Sequence, residues 1–127
     1  MSHVPFTAID HFQMAIPPGQ EDVARSFYCD LLGMTEIPKP PELKKNGGAW
    51  FTSGDVQVHI GVDPHFHPAT KAHPALRCGD YAGLLEKLRA ADHEIVPDRS
   101  IPGVERCHIL DPFGNRIELI AEQSKRK

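Results

Sequence analysis

The chain of 127 residues consists of two halves with the same order of predicted elements, and this repeat constrains the fold most. In each half a short apolar strand precedes a stretch whose apolar residues have helical spacing, and further strands follow. Gly33 ends the first helical stretch (20–32), and Asp80 is the predicted N-cap of the second (about 82–91). We therefore predict an α+β protein built from two tandem βαβββ modules.

The repeat also sets the expected boundaries. The first module spans about 8–62, a linker covers 63–72, the second module spans about 73–121, and a tail covers 122–127. A chain of this length can bury one core of useful size, so we expect one domain over residues 1–127.

Four polar residues stand at matching points of the two halves. His11 and His73 lie at the start of the first strand of each half, whereas His59 and Glu118 lie within the last strand. Successive side chains of a strand point to opposite faces, so His59 and Glu118 should face away from their apolar neighbours. A charged group buried there requires a partner, because an unpaired buried charge is costly. One divalent metal ion held by His11, His73, Glu118 and His59 would supply that partner.

The donor types leave the metal open. Two histidines and a carboxylate with free positions suit non-haem Fe(II), and His/Glu sets also bind Zn, Mn, Ni or Co. The alternative is that each histidine is simply hydrogen-bonded within its strand, but the pairing by the repeat favours a metal. A rival set, His65 and His67 with His73, lies in the linker, where two prolines disfavour rigid placement.

Composition excludes several classes of partner. The formal net charge is −3 and charges of both signs are spread along the chain, so we predict no binding of nucleic acid. No apolar run is long enough to cross a bilayer and no signal-peptide pattern is present, so we expect a cytoplasmic protein without membrane contacts. The basic residues 125–127 are expected to form a solvated end. Three separated cysteines, Cys29, Cys78 and Cys107, are expected to be free thiols.

Three segments give the chain a family resemblance: Ile9-Asp10-His11, residues 27–34 (FYCDLLGM) and residues 111–119 (DPFGNRIEL). With these segments the chain resembles the vicinal oxygen chelate superfamily of glyoxalases, bleomycin-resistance proteins and extradiol dioxygenases. The resemblance implies curved mixed sheets that enclose a metal-containing cavity. It also implies a homodimer, in which the first module of one subunit completes the site with the second module of the other. Pairing of the two modules within one chain is the alternative.

The resemblance implies a metal-dependent enzyme whose small-molecule substrate binds the metal through neighbouring oxygen atoms. Its ligands would be His11, His73 and Glu118, with His59 in a fourth place where glyoxalase I and related epimerases usually have Glu or Gln. The retained His, His and Glu favour an enzyme over a metal-free binding protein, and among the enzymes a lyase or isomerase of glyoxalase type is favoured. The alternatives are an extradiol-type ring-cleaving dioxygenase and a metal-free drug-binding protein of the bleomycin-resistance type.

Four residues are candidates for roles beside the metal. A glyoxalase-like reaction needs a general base, and His59 could serve because an unperturbed histidine has a pKa near neutrality. His108 is the second catalytic candidate, since its strand presents substrate-contacting groups in the family. Arg106 shares the face of His108 and could bind an anionic substrate group or could be a solvated surface residue. Trp50 and Phe51 are adjacent in one strand, so one faces the cavity; Trp50 is our candidate for contact with the substrate.

Overall fold

The structure, a computed structural model, describes residues 4–124; the basic residues 125–127 lie outside it. The first module comprises β1 (Phe12–Ile16), α1 (Glu21–Arg25) with a π-helical continuation (Ser26–Leu31), β2 (Thr35–Ile37), α2 (Pro41–Lys44), β3 (Ala49–Ser53) and β4 (Val56–Val62). The second comprises β5 (Ala75–Cys78), α3 (Tyr81–Ala90), β6 (Val96–Asp98), β7 (Arg106–Leu110) and β8 (Arg116–Ala121). The predicted α+β class and the two βαβββ modules are confirmed. The short helix α2 is an addition that the sequence pattern did not predict.

Each module forms a four-stranded mixed sheet, with strand order β1-β4-β3-β2 in the first and β5-β8-β7-β6 in the second. The first and last strands of each module are parallel neighbours, and the remaining neighbours are antiparallel. A parallel pair requires a long crossover, which the helix and the intervening strands supply. As a result Gln13 pairs with His59 in one sheet and Ala75 pairs with Glu118 in the other.

The predicted strand alternation holds in both sheets. Val58, Ile60, Ile117 and Leu119 belong to the core and are at most 2% exposed. Each such side chain contributes roughly 1.5–3 kcal/mol when fully buried. The intervening residues, among them His59 and Glu118, therefore occupy the opposite face of each sheet.

The helices close the core from the other side. Tyr28 in the π-helical segment is 1% exposed and Leu88 in α3 is fully buried. The carboxylate of Asp80 accepts a hydrogen bond from the backbone N–H of Gly83 at 3.1 Å, which confirms Asp80 as the N-cap of α3. No helix in residues 4–124 is both long enough and apolar enough to cross a membrane.

The turn at residues 111–115 joins the two modules. The Tyr28 hydroxyl donates to Asp111 Oδ2 at 2.8 Å, and Asn115 Nδ2 donates to the backbone oxygen of Ala15 at 2.9 Å. Asn115 Oδ1 also accepts from the backbone N–H of Ala69 at 2.9 Å, which holds the linker. Gly114 has a φ of 90°, a conformation that favours glycine. Residues 111–115 belong to the segment with the strongest family resemblance, and they also hold the two modules and the linker together.

Strand β6 differs from the expectation. The sequence predicts a strand over 94–96, whereas β6 spans Val96–Asp98. Because β6 is an edge strand, Pro97 can lie within it without loss of a hydrogen bond to an inner strand. The shift places Asp98 opposite Arg106 on β7.

Candidate functional site

The polar faces of the two sheets carry two separate groups of side chains. In the first module His11, His59 and Trp50 form a ring stack. In the second module His73, Glu118, Arg106, Asp98 and His108 form a charged network. Within residues 4–124, one set of three metal-ligand atoms lies within 4.8 Å of one another, on His73, His108 and Glu118. The four predicted ligands are thus divided, two in each group.

The ring stack has His59 at its centre. The ring centroid of His59 lies 3.8 Å from that of His11 and 4.0 Å from that of Trp50, with interplanar angles of 14° and 6°. The register of β3 and β4 pairs Trp50 with His59, while Phe51 is fully buried in the core. Trp50, and not Phe51, therefore lies on the polar face.

Hydrogen bonding and burial keep His59 neutral. Its Nε2 lies 3.1 Å from Oε1 of Gln57, which can only accept, so Nε2 carries the proton and Nδ1 is left as an acceptor. Burial lowers the pKa of His59, and the electrostatic influence of the neighbouring His11 and Lys39 lowers it further. His11 in turn has Nδ1 2.9 Å from Oδ2 of Asp10, which leaves its Nε2 free.

A cavity of about 550 Å³ lies over the ring stack. Its lining includes Gln13, Gln57 and Lys39, together with the loop that contains α2. Glu21 holds this loop by accepting a hydrogen bond from the backbone N–H of Gly48 at 2.9 Å. Gly48 has a φ of 84°, and a Cβ there would collide with the backbone oxygen of Ile60.

The charged network is centred on Glu118, whose side chain is 9% exposed. Its Oε1 lies 3.0 Å from Nε2 of His73, and its Oε2 accepts from Nη1 of Arg106 at 2.9 Å. Burial raises the pKa of Glu118, but the hydrogen bonds with Arg106 and His73 outweigh burial and the net pKa is lowered. Glu118 is therefore a carboxylate at neutral pH.

His108 has partners at both ring nitrogens. Its Nε2 lies 3.1 Å from Oδ2 of Asp98 and 3.1 Å from Nη2 of Arg116, and its Nδ1 accepts from Nε of Arg116 at 3.2 Å. Hydrogen bonds from Ser100 and His108 lower the pKa of Asp98, so this carboxylate is ionised at neutral pH. His108 is thus fixed in orientation, and neither nitrogen is free for a further ligand.

His73 and Glu118 together present the donor atoms of a cation site. His73 Nδ1 lies 2.8 Å from the backbone oxygen of Lys71, and because a carbonyl only accepts, Nδ1 carries a proton. Nε2 is then the nitrogen directed at the Glu118 carboxylate, so a cation bound between them would be held by one ring nitrogen and one carboxylate oxygen. A ligand histidine whose other nitrogen donates to a backbone oxygen is the usual arrangement at metal sites. The residues present therefore fit a divalent metal ion.

Sequence reasoning missed three members of the site. Asp98 and Ser100 escaped because the strand was expected two residues earlier. Arg116 was placed on the same face as Glu118 by alternation, but its approach to His108 depends on the pairing of β7 with β8. The linker histidines His65 and His67 are not among the residues of the three-donor group.

Fold and site together define a two-module βαβββ protein with histidine and glutamate donors on the polar faces of its sheets. The model of the Glyoxalase/Bleomycin resistance protein/Dioxygenase superfamily matches residues 8–119. The chain belongs to this superfamily, which confirms the resemblance inferred from the sequence. Comparison with curated proteins gave no match.

Solved structures share this fold. A glyoxalase family protein from Bacillus anthracis is 44% identical with a TM-score of 0.92, over 98% of this chain and 100% of its own. Lactoylglutathione lyase from Agrobacterium tumefaciens is 20% identical with a TM-score of 0.70, over 93% and 96%. A bleomycin-binding protein in complex with bleomycin is 20% identical with a TM-score of 0.69, over 91% and 98%. The superfamily thus contains both enzymes and binding proteins.

Proposed function

We propose that the chain is a metal-dependent enzyme acting on a small molecule that binds the metal through neighbouring oxygen atoms. Lyase or isomerase chemistry of the glyoxalase type is favoured. The observation that carries the proposal is the 3.0 Å approach of His73 Nε2 to Glu118 Oε1, with His73 Nδ1 held by a backbone oxygen. One divalent ion, of Fe, Zn, Ni, Mn or Co, would occupy this position.

The proposed ligands are His11, His73 and Glu118, with His59 in the fourth place. Because the three-donor group of one chain contains neither His11 nor His59, we propose that a second copy supplies them. The functional unit is then a homodimer with two shared sites, each built from the ring stack of one subunit and the charged network of the other.

The bound metal would act as a Lewis acid on the substrate oxygens. The alternative to a place as fourth ligand is that His59 is the general base, since Nδ1 is its one acceptor nitrogen and can then take a proton from the substrate. Gln57 fixes the tautomer that makes Nδ1 the acceptor. The stacked Trp50 holds the ring in place and is the proposed substrate contact. His108 is the second candidate, but it can accept a proton only after Arg116 releases its Nδ1.

Metal content is the first test of the proposal. Protein purified without a His-tag should contain stoichiometric metal, and His73→Ala and Glu118→Ala should lose it. His67→Ala is a matched control, because it removes a histidine of the rival linker set. Wild-type protein without metal after loading with each candidate ion would contradict the proposal, as would loss of metal in His67→Ala alone.

A substrate panel then separates the alternatives. Turnover of thiol adducts of methylglyoxal would support the lyase or isomerase, and oxygen consumption with catechols and Fe(II) would support the extradiol-type dioxygenase. Tight binding of bleomycin by protein that lacks metal and turnover would support the drug-binding alternative.

A further inference from the structure

The two oxygens of Glu118 have different partners. Oε1 lies beside His73, the other proposed ligand in this module, whereas Oε2 accepts a hydrogen bond from Arg106 Nη1 at 2.9 Å. The side chains of Arg106 and Glu118 are only 12% and 9% exposed, so solvent does not loosen this pair. A charge-assisted hydrogen bond in such surroundings fixes the orientation of the carboxylate.

Arg106 is in turn held from its far side. Its Nη2 lies 3.0 Å from Asp98 Oδ2 and donates to Ser100 Oγ at 2.8 Å. Asp98 is itself fixed, because its Oδ1 accepts from both the backbone N–H and the hydroxyl of Ser100, at 2.9 and 2.7 Å. Both terminal nitrogens of Arg106 are therefore engaged by residues of β8, β6 and the loop after β6.

This arrangement conflicts with the sequence-based role of Arg106 as the binder of a substrate anion. An arginine recognises a carboxylate or phosphate through its planar fork of donors. Here that fork connects two carboxylates of the protein, Glu118 and Asp98, and its buried Nε has no hydrogen-bond partner within residues 4–124. The positive charge of Arg106 is thus already compensated.

We propose that Arg106 and Asp98 are positioning residues that hold Glu118 by Oε2, so that Oε1 alone is presented to the metal. The pair acts as a clamp on a ligand carboxylate, and it makes no contact with the substrate. This inference rests on the proposed function, because the clamp serves a purpose only if Glu118 binds a metal. Asp98 has the further effect of fixing His108.

Metal affinity and coordination of the resting protein test the clamp without any substrate. Arg106→Met should weaken Zn²⁺ binding by about 10–100-fold, measured in competition with a chelator. This is the range found when a residue that hydrogen-bonds to a metal ligand is removed. In the Co²⁺-loaded protein the visible absorption spectrum should change, because the freed carboxylate can bind through both oxygens. Arg99→Met, which removes the same charge from an exposed neighbouring position, should leave affinity and spectrum unchanged.

The conservative variants test the link to Asp98. Arg106→Lys should rescue little, because an ammonium cannot reproduce the two-sided fork. Asp98→Asn should weaken Zn²⁺ binding less than Arg106→Met does, and the double variant should be no weaker than Arg106→Met alone. If Arg106→Met does not fold, the Zn²⁺ affinities of Arg106→Lys and Asp98→Asn test the clamp instead.

Two outcomes would overturn the clamp. One is wild-type Zn²⁺ affinity and an unchanged Co²⁺ spectrum in Arg106→Met. The other is a raised KM for anionic substrates with unchanged metal affinity, which would restore Arg106 as a substrate contact. If wild-type protein binds no metal, the proposed function fails separately. Metal-free crystal structures of wild type and Arg106→Met still test the clamp in that case. An unchanged orientation of the Glu118 carboxylate in Arg106→Met would exclude it.

Discussion

At the scale of single residues, the chemistry of the site depends on which nitrogen of each histidine carries a proton. Three partners fix this: the backbone oxygen of Lys71 for His73, the amide oxygen of Gln57 for His59, and the guanidinium of Arg116 for His108. Each partner is either only an acceptor or only a donor at the contact, so the tautomer follows from the geometry. Of these three histidines, His59 is the one whose acceptor nitrogen has no hydrogen-bond partner among residues 4–124.

The depressed pKa of His59 predicts the pH dependence of the metal-free protein. An unfolded histidine titrates near 6.5, whereas burial, followed by His11 and Lys39, lowers the pKa of folded His59 below that value. The unfolded state therefore binds more protons between the two pKa values. The contribution of His59 to the free energy of unfolding is fully present above about pH 6.5 and is lost as pH falls toward the folded pKa.

Chemical denaturation of the metal-free protein between about pH 4.5 and 8 measures this contribution. The free energy of unfolding should depend less on pH in His59→Gln than in wild type. The native titration can be followed by the fluorescence of Trp50, the single tryptophan, because its ring stacks on His59. A fluorescence midpoint above 6.5 would contradict the expected direction.

At the scale of elements, glycines and turns decide where the site-bearing loops can lie. Gly48 and Gly54 both have a positive φ, but only at Gly48 would a Cβ collide with backbone. We expect Gly54→Ala to cost roughly 1–2 kcal/mol, the price of a left-handed conformation alone. Gly48→Ala should cost clearly more and should displace the loop over the ring stack. Urea denaturation of both variants measures the difference, and equal losses would show that the close approach to Ile60 is unimportant.

The turn at 111–115 makes a second prediction at this scale. Asn115 is 1% exposed and its side chain joins Ala15, Ala69 and Asp111. Asn115→Ala removes the partner of the buried Asp111 carboxylate and of two partly buried backbone groups, each at a cost of about 1–3 kcal/mol. The free energy of unfolding should therefore fall by roughly 2–5 kcal/mol, measured by urea denaturation. Asn46→Ala is the control, because Asn46 is exposed. An equally small loss of unfolding free energy in both variants would contradict the role of Asn115 in joining the modules.

The sequence predicted elements better than it predicted their mutual placement. Alternation assigned His59 and Glu118 to the polar faces because strand period depends only on local pattern. The choice between Trp50 and Phe51 depends on strand register, and Asp98 was missed because edge position makes Pro97 acceptable in a strand. The separation of His11 from His73 is a property of how the modules pack, which no local periodicity encodes.

At the scale of the whole molecule, the four proposed metal ligands of one chain lie in two separate groups. The ring stack offers His11 and His59 and the charged network offers His73 with Glu118, in separate places. Phe6 and Ile9, just before His11, are 85% and 84% exposed. In the proposed homodimer, a second copy of the chain would complete the donor set and cover these residues.

Mixing two inactive variants tests this assembly. A His11→Ala chain lacks one donor in the first module, and a Glu118→Ala chain lacks one in the second. In a mixed dimer with exchanged pairing, one site combines both damaged modules and the other combines both intact ones. Unfolding and refolding an equimolar mixture should therefore restore metal to about half of the mixed dimers' sites, the ratio that symmetry of a two-fold dimer dictates.

The control is a mixture of His11→Ala with His59→Ala, two variants damaged in the same module. Every site in any dimer of these chains lacks a donor, so exchanged pairing gives no full recovery. If the modules pair within one chain, neither mixture recovers metal, because each chain carries its own damage into its own site. Recovery of metal in the first mixture alone would therefore show exchanged pairing, and no recovery in either mixture would show pairing within one chain. The test needs no substrate, because complementation depends only on which chain supplies each ligand.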